Sequence, residues 1–100
     1  MLHTVNKSPF EKNSLLTCLR LSAAGSSILM TEDGVYGAVK GSQIENLVAN
    51  GLADRKIFVL GPDLKARGIE EERLIDGIAV VDYAGFVELV ATNTGVQSWL

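Results

Sequence analysis

The sequence contains little of several residue types that particular functions require. It has one cysteine in 100 residues, which excludes an internal disulfide bond and a cysteine-based zinc site and fits a reducing cytoplasm. Its nine Lys and Arg residues are outnumbered by twelve Asp and Glu residues. The formal charge of −3 therefore argues against a nucleic-acid-binding surface. No apolar run approaches the roughly 20 residues of a membrane span, and no signal peptide is recognisable.

Motifs for cofactors are also missing, so we expect no cofactor. The segment Gly34–Gly37 lacks the spacing of a dinucleotide-binding loop, and no Gly-Lys-Ser or Gly-Lys-Thr occurs.

Acidic residues follow three of the predicted strands, at the edge where open parallel sheets bind ligands. We interpret Asp33, Asp63 and Asp82 as turn or helix-capping residues rather than metal ligands, since a hard cation needs several converging oxygens.

Apolar residues, in contrast, are abundant. They make up 47% of the chain, and the mean hydropathy is +0.22. The length fits one domain over residues 1–100, and a domain of this size buries only a limited share of its surface. We therefore expect part of the apolar surface to be covered by a partner in an obligate oligomer.

Strand-like and helix-like segments alternate along the chain. This alternation predicts an α/β fold with a mostly parallel sheet of about five strands and helices on both faces. Ser8 and Pro9 are typical of a helix start, Gly25 of a helix end, and Asp82 of an N-cap. The predicted strands are Leu2–Val5, Ser27–Thr31, Lys56–Leu60, Gly77–Val81 and Val96–Leu100. The predicted helical segments are Pro9–Ala24, Val35–Val39, Gln43–Asn50, Leu64–Arg67 and Tyr83–Ala91.

Cys18 is the candidate catalytic residue. It lies on the first predicted helix at one edge of an apolar stripe, and its role has two interpretations. A free cysteine is often a buried small hydrophobe, whereas a reactive thiol needs exposure and a cationic setting. His3 could serve Cys18 as a base, although a structural histidine is the preferred interpretation. The apolar stripe of this helix consists of Leu15, Leu16, Leu19 and Ala23.

Aromatic residues are the candidate interface residues. Trp99 lies one residue from the C-terminal end of the sequence, where a segment is usually disordered unless something holds it. We expect Trp99 to dock either on its own sheet or on another subunit. Tyr36 and Tyr83 are the other candidates, because Trp and Tyr are enriched in interface cores.

Five segments of the chain, in register over its whole length, resemble the DsrH/TusB subunit family. They carry signatures of a fold and of interfaces more than a catalytic motif. The segments are Leu2–Phe10, Glu32–Tyr36, Val59–Gly68, Val81–Val87 and Val96–Leu100.

The resemblance implies a DsrE/F/H-like fold and one small subunit of a cytoplasmic α2β2γ2 heterohexamer. Such complexes relay sulfur as protein-bound persulfide, for 2-thiolation of the tRNA wobble uridine in the TusBCD branch or for intracellular sulfur oxidation in the DsrEFH branch. The implied partners are DsrE/TusD-like and DsrF/TusC-like subunits, an upstream TusA-like donor and a downstream DsrC/TusE-like acceptor. The principal acceptor cysteine is expected on the DsrE/TusD-like subunit.

The resemblance also bears on Cys18, which aligns with a cysteine of DsrH-type subunits that some TusB subunits lack. Its presence favours the DsrH branch and a secondary role in carrying persulfide. The alternative is a non-catalytic structural subunit with Cys18 buried. Whether the chain is itself an enzyme stays open between these two hypotheses.

Overall fold

One parallel sheet joins both ends of the chain in this computed structural model, which describes residues Met1–Leu100. The strands are β1 (Leu2–Val5), β2 (Ser27–Met30), β3 (Lys56–Leu60), β4 (Ala79–Val81) and β5 (Val96–Trp99). Their order in the sheet is β4-β3-β2-β1-β5, and every neighbouring pair is parallel. The predicted α/β fold is confirmed, and the last segment is the edge strand that the sequence predicted.

The connections between the strands contain four α-helices and two short 3-10 helices. The α-helices are α1 (Ser14–Leu21), α2 (Glu45–Gly51), α3 (Gly61–Ala66) and α4 (Tyr83–Thr92). The 3-10 helices span Glu32–Ala38 and Glu71–Arg73. Asp82 caps α4 as predicted, because its Oδ1 accepts a hydrogen bond from the backbone N–H of Gly85 at 2.8 Å. None of the helices has the length and apolar character needed to cross a membrane.

The first helix is shorter than predicted, and Ser8 is not its N-cap. The hydroxyl of Ser8 accepts the N–H of Phe10 at 3.2 Å, and its carbonyl accepts the N–H groups of Glu11 and Lys12, which closes one isolated turn. Asn13 then precedes the helix without a side-chain cap. The prediction failed because Asn and Ser side chains compete with the backbone for hydrogen bonds, so Lys12–Ser14 propagates a helix poorly.

The main core lies on one face of the sheet. Val5, Met30 and Val59 occupy equivalent register positions on β1, β2 and β3, and all three are fully buried. Because neighbouring residues of a strand point to opposite faces, these side chains share a face that α1, α2, α3 and the longer 3-10 helix cover. The helical members of this core are Leu15, Cys18, Val35, Ala38, Val48 and Leu64, and Ile44 joins them from the position just before α2.

The opposite face of the sheet is covered by α4, which connects β4 with β5. Leu2 and Leu29 are buried there, outside the main core cluster. No residue of α4 itself is buried, however. Phe86 and Leu89 are partly buried, whereas Val90 is 42% exposed. The second layer is therefore one helix thick, and its outer side is apolar and open.

The carboxyl end of β1 makes a close backbone contact with the longer 3-10 helix, which follows β2. A Cβ placed on Gly34 would lie 2.2 Å from the carbonyl oxygen of Val5, so only glycine fits there. The same oxygen accepts the N–H of Thr31 at 2.9 Å, which fixes its position. This contact holds the longer 3-10 helix against the end of β1.

Candidate functional site

Cys18 lies in the middle of the buried face of α1. It is fully buried, as is Leu15 one turn earlier, whereas Ala23 lies beyond the helix and is exposed. The prediction that Cys18 sits at the edge of the apolar stripe was therefore wrong. Ala23 is not part of the buried face because the helix ends at Leu21, and the two buried residues of the helix are Leu15 and Cys18.

Burial raises the pKa of the Cys18 thiol from 9.0 to about 11. Loss of hydration is the main cause, and the positive charge of Arg55 and a hydrogen bond with Ser22 oppose it only in part. The side chain is consequently a neutral thiol near pH 7. Sulfur transfer needs a thiolate that a donor can reach, and this environment provides neither.

Arg55 was not recognised from the sequence, and its side chain closes the C-terminal end of α1. Its Nε donates to the hydroxyl of Ser22 at 2.8 Å, and its Nη2 donates to the Ser22 carbonyl at 2.6 Å. Its Nη1 pairs with Asp54 at 2.8 Å. The guanidinium therefore satisfies the backbone carbonyl of Ser22 at the helix end and is already committed to its bonds with Ser22 and Asp54.

A groove of about 660 Å³ runs between α1 and α2, beside this arginine. Cys18 is not among the residues that line it, so the groove gives no access to the thiol. The lining residues are Asn13, Leu16, Thr17, Leu19, Arg20, Leu47, Asn50, Gly51, Asp54 and Arg55.

Alkylation of native protein should reveal the protection of Cys18. We expect iodoacetamide to label it at least about 100-fold more slowly than the unfolded chain, because two pKa units lower the thiolate fraction by that factor before access is considered. A Cys18→Ala/Lys12→Cys variant, with its thiol on the exposed Lys12 position, supplies the fast-reacting control. Native labelling of Cys18 at the rate of this control would contradict the buried site.

His3 is bound to Trp99 rather than to Cys18. The indole Nε1–H of Trp99 donates to Nδ1 of His3 at 3.0 Å, and no hydrogen bond joins His3 to the thiol. The interpretation of His3 as structural is supported, and its partner is the side chain of Trp99. This bond anchors β5 to β1, where Trp99 is aligned with Val5. Trp99 thus docks on its own sheet, one of the two alternatives that the sequence left open.

Acid should weaken this anchor. Burial lowers the pKa of His3 below 6.5, with smaller contributions from the N-terminal ammonium and Arg55. The unfolded chain therefore binds the proton more readily, so the stabilisation is complete above about pH 6.5 and is lost as the pH falls through the folded-state pKa. We expect the free energy of unfolding to decrease more between about pH 7 and pH 5 in the native protein than in His3→Gln. Equal pH dependence in urea titrations of the two proteins would contradict this assignment.

Polar side chains connect the carboxyl ends of three strands. The N–H of Glu32 donates to Oδ2 of Asp63 at 2.6 Å, and the amide of Asn6 donates to Oε2 of Glu32 at 3.2 Å. Glu32 adopts a positive φ of 49°, an unfavourable conformation that these bonds help to maintain. Asp33 pairs with Arg67 at 2.9 Å. Asp33 and Asp63 therefore hold neighbouring segments together and do not cap helices, which differs from the prediction, and no group of three His, Cys, Asp or Glu side chains that could hold a metal ion is formed.

The three aromatic interface candidates lie in different places. Trp99 is partly buried against the main core, and Tyr36 is 37% exposed beside a small cleft. Tyr83 begins α4 and is 62% exposed. It shares one helical face with Val87 and Val90, which are 69% and 42% exposed. We call these three residues the α4 face.

Sequence reasoning missed the α4 face, although a signal was present. The ten residues of α4 contain only one charged side chain, Glu88. A helix that is apolar all around is normally covered on all sides, and here the sheet covers only one of them. The thiol on α1 is buried against one face of the parallel sheet, and the apolar helix on the other face is exposed to solvent. These features define a small α/β protein suited to association with other proteins.

The family of this protein follows from its similarity to known proteins. The model of the DsrH family, described as DsrH like protein, matches residues 7–96. The chain is 34% identical over 99 residues to Protein TusB of Escherichia coli O157:H7 and 35% identical to Protein TusB of Shigella flexneri, covering 99% of this chain and all of each relative. The chain belongs to the DsrH-like family, as its sequence predicted, and the sulfur-relay role implied above attaches to that family.

Solved structures show the same fold. The ychN protein of Escherichia coli superposes with a TM-score of 0.81 at 18% identity, over 97% of both chains. MTH1491 of Methanobacterium thermoautotrophicum, a protein of unknown function, gives a TM-score of 0.80 at 15% identity, over 97% of this chain and 96% of its own. At these identities the similarity concerns the fold alone.

Proposed function

We propose that this chain is a structural subunit of a cytoplasmic complex that passes persulfide sulfur. Its partners are two homologous small subunits, DsrE/TusD-like and DsrF/TusC-like, in a heterohexamer. The observation that carries this proposal is the exposed α4 face in a member of the DsrH-like family. Burial of such a face against another subunit stabilises the assembly, because water contacts with exposed Val and Tyr side chains are exchanged for packing.

The buried thiol supports the structural role over the carrier role. In persulfide transfer, a thiolate attacks the outer sulfur of the donor, and the donor thiolate leaves. Cys18 is fully buried with a raised pKa, so it meets neither the access nor the ionisation that this step requires. Sulfur would enter from a TusA-like donor, reside on the cysteine of the DsrE/TusD-like partner and leave to a DsrC/TusE-like acceptor.

Two destinations for the sulfur have different support. The curated relatives are TusB proteins with full-length matches, which favours 2-thiolation of the tRNA wobble uridine. Intracellular sulfur oxidation is the second candidate, and it rests on the resemblance of Cys18 to a cysteine of DsrH-type subunits. Because a core cysteine is also a common packing residue, Cys18 carries less weight than the overall similarity.

The aromatic residues contribute unequally to the proposed assembly. Tyr83 belongs to the α4 face and offers the largest exposed aromatic surface of the three candidates, so we propose it as an interface anchor. Tyr36 is proposed as a contact at the cleft beside it. Trp99 already donates its N–H to His3, so its contribution is to hold β5 in place at the edge of the sheet, where a neighbouring subunit can pack.

Native mass spectrometry of protein purified from its own cells tests the assembly. We expect two further subunits of similar size to co-purify in equal amounts. A stable monomer or homodimer without these partners would overturn the proposed function.

A further inference from the structure

A small basic cleft lies on the side of the molecule away from α4. Its volume is about 320 Å³, and three cationic side chains, Lys40, Arg67 and Arg73, line it together with the aromatic rings of Phe10 and Tyr36. No Asp or Glu is among the lining residues. The other lining residues are Val39, Gly41, Ser42 and Ile69.

The backbone places two of these cations directly opposite each other. Val39 and Leu74 form an antiparallel bridge, and the N–H of Lys40 donates to the carbonyl of Arg73 at 2.8 Å. Lys40 therefore faces Arg73 across the bridge. Like charges in this arrangement destabilise the fold, so the stability of the isolated chain does not explain why both cations are present.

The two opposed cations are available to a ligand. Arg73 makes no ion pair, and Lys40 reaches only Asp76 at 3.6 Å, a carboxylate whose side chain is 97% exposed. Arg67 is different, because it binds Oδ1 of Asp33 at 2.9 Å and forms a fixed wall of the cleft. Phe10 is 58% exposed at the rim, so an apolar group can pack beside the charges.

We propose that the basic cleft binds an acidic segment of a partner protein, with one carboxylate between Lys40 and Arg73 and one apolar side chain against Phe10 and Tyr36. This inference rests on the proposed function and names the chemistry of one contact in it. A nucleic acid fits less well, since the chain carries a net charge of −3 and would repel a long polyanion outside the cleft. The cleft is also only large enough for one or two side chains.

Peptide titration by fluorescence anisotropy tests the cleft. The probes are a labelled peptide Asp-Glu-Leu-Glu-Asp, its neutral counterpart Asn-Gln-Leu-Gln-Asn, and a short RNA hairpin. We expect the acidic peptide to bind, the neutral peptide to bind at least about tenfold more weakly, and the variant Lys40→Gln/Arg73→Gln to lose at least about tenfold in affinity for the acidic peptide. The variant Lys12→Gln/Lys65→Gln makes the same charge change at exposed positions outside the cleft and should bind as the native chain does.

The outcomes separate this inference from the proposed function. The cleft assignment would be overturned if the acidic peptide does not bind or if both double variants lose the same affinity for it. It would also be overturned if the RNA hairpin binds more tightly than the acidic peptide. Thermal unfolding tests whether the cleft variant is folded, and we expect its stability to be at least equal to that of the native chain because a like-charge pair is removed. Native mass spectrometry measures assembly independently. A complex that forms without peptide binding would overturn only the cleft assignment. Peptide binding without a complex would overturn only the proposed sulfur-relay assembly.

Discussion

Replacing Val87 by Asp is expected to abolish assembly while leaving the isolated chain folded. Val87 is 69% exposed, so the monomer loses little when its side chain becomes polar. It lies between Tyr83 and Val90 on the α4 face, and an unpaired carboxylate buried there against a partner would be desolvated without compensation. We expect the affinity for the partner subunits to fall at least about 100-fold, or about 3 kcal/mol.

The control for this prediction makes the same kind of change elsewhere. Leu21, the last residue of α1, is 63% exposed, and Leu21→Asp should assemble normally. Co-expression of each variant with the partner subunits, followed by native mass spectrometry, measures assembly, and circular dichroism of the isolated chain confirms folding. Normal assembly of Val87→Asp would show that the α4 face is not an interface.

Gly34→Ala is expected to cause the largest loss of stability among single-methyl additions. The new Cβ would lie 2.2 Å from the carbonyl oxygen and 2.9 Å from the carbonyl carbon of Val5. Both atoms belong to the backbone of β1, which is paired on both sides and cannot move away. We expect the free energy of unfolding to fall by about 3 kcal/mol or more, as measured by urea titration.

Gly68→Ala provides the comparison for Gly34→Ala. Gly68 has a positive φ of 66°, but a Cβ there meets no atom within 4 Å. The cost should therefore be only the conformational strain, about 1 kcal/mol. Equal stability of the two variants, or a Gly34→Ala variant as stable as the native chain, would contradict the close contact between the 3-10 helix and β1.

The order of strands and helices was predictable because each strand is a short apolar run bounded by turn residues. Lys56–Leu60 is predicted with the correct bounds, and Asp82 correctly marks the start of α4. The start of α1 was not predictable in this way. Ser8 and Pro9 satisfy the local rules for a helix start, and only the whole structure shows that their hydrogen bonds close a separate turn.

The site was less predictable than the fold, since its contacts join distant parts of the chain. The hydrogen bond between His3 and Trp99 could not be predicted because the two residues are far apart in the sequence. They are neighbours only because β5 pairs with β1. The opposition of Lys40 and Arg73 likewise depends on an isolated bridge between two loops. Whether Cys18 was buried depended on which side of α1 packs against the sheet, and a local sequence pattern does not determine this packing.

The most direct measurement is persulfide transfer by the reconstituted complex. We would compare native complex, complex carrying Cys18→Ala, and partner subunits without this chain, and locate the transferred sulfur by mass spectrometry of each subunit. Transfer should require this chain but not its thiol, and no sulfur should be found on Cys18. Normal transfer by the partner subunits alone would contradict the proposed structural role. So would a persulfide on Cys18 together with loss of transfer in the Cys18→Ala complex.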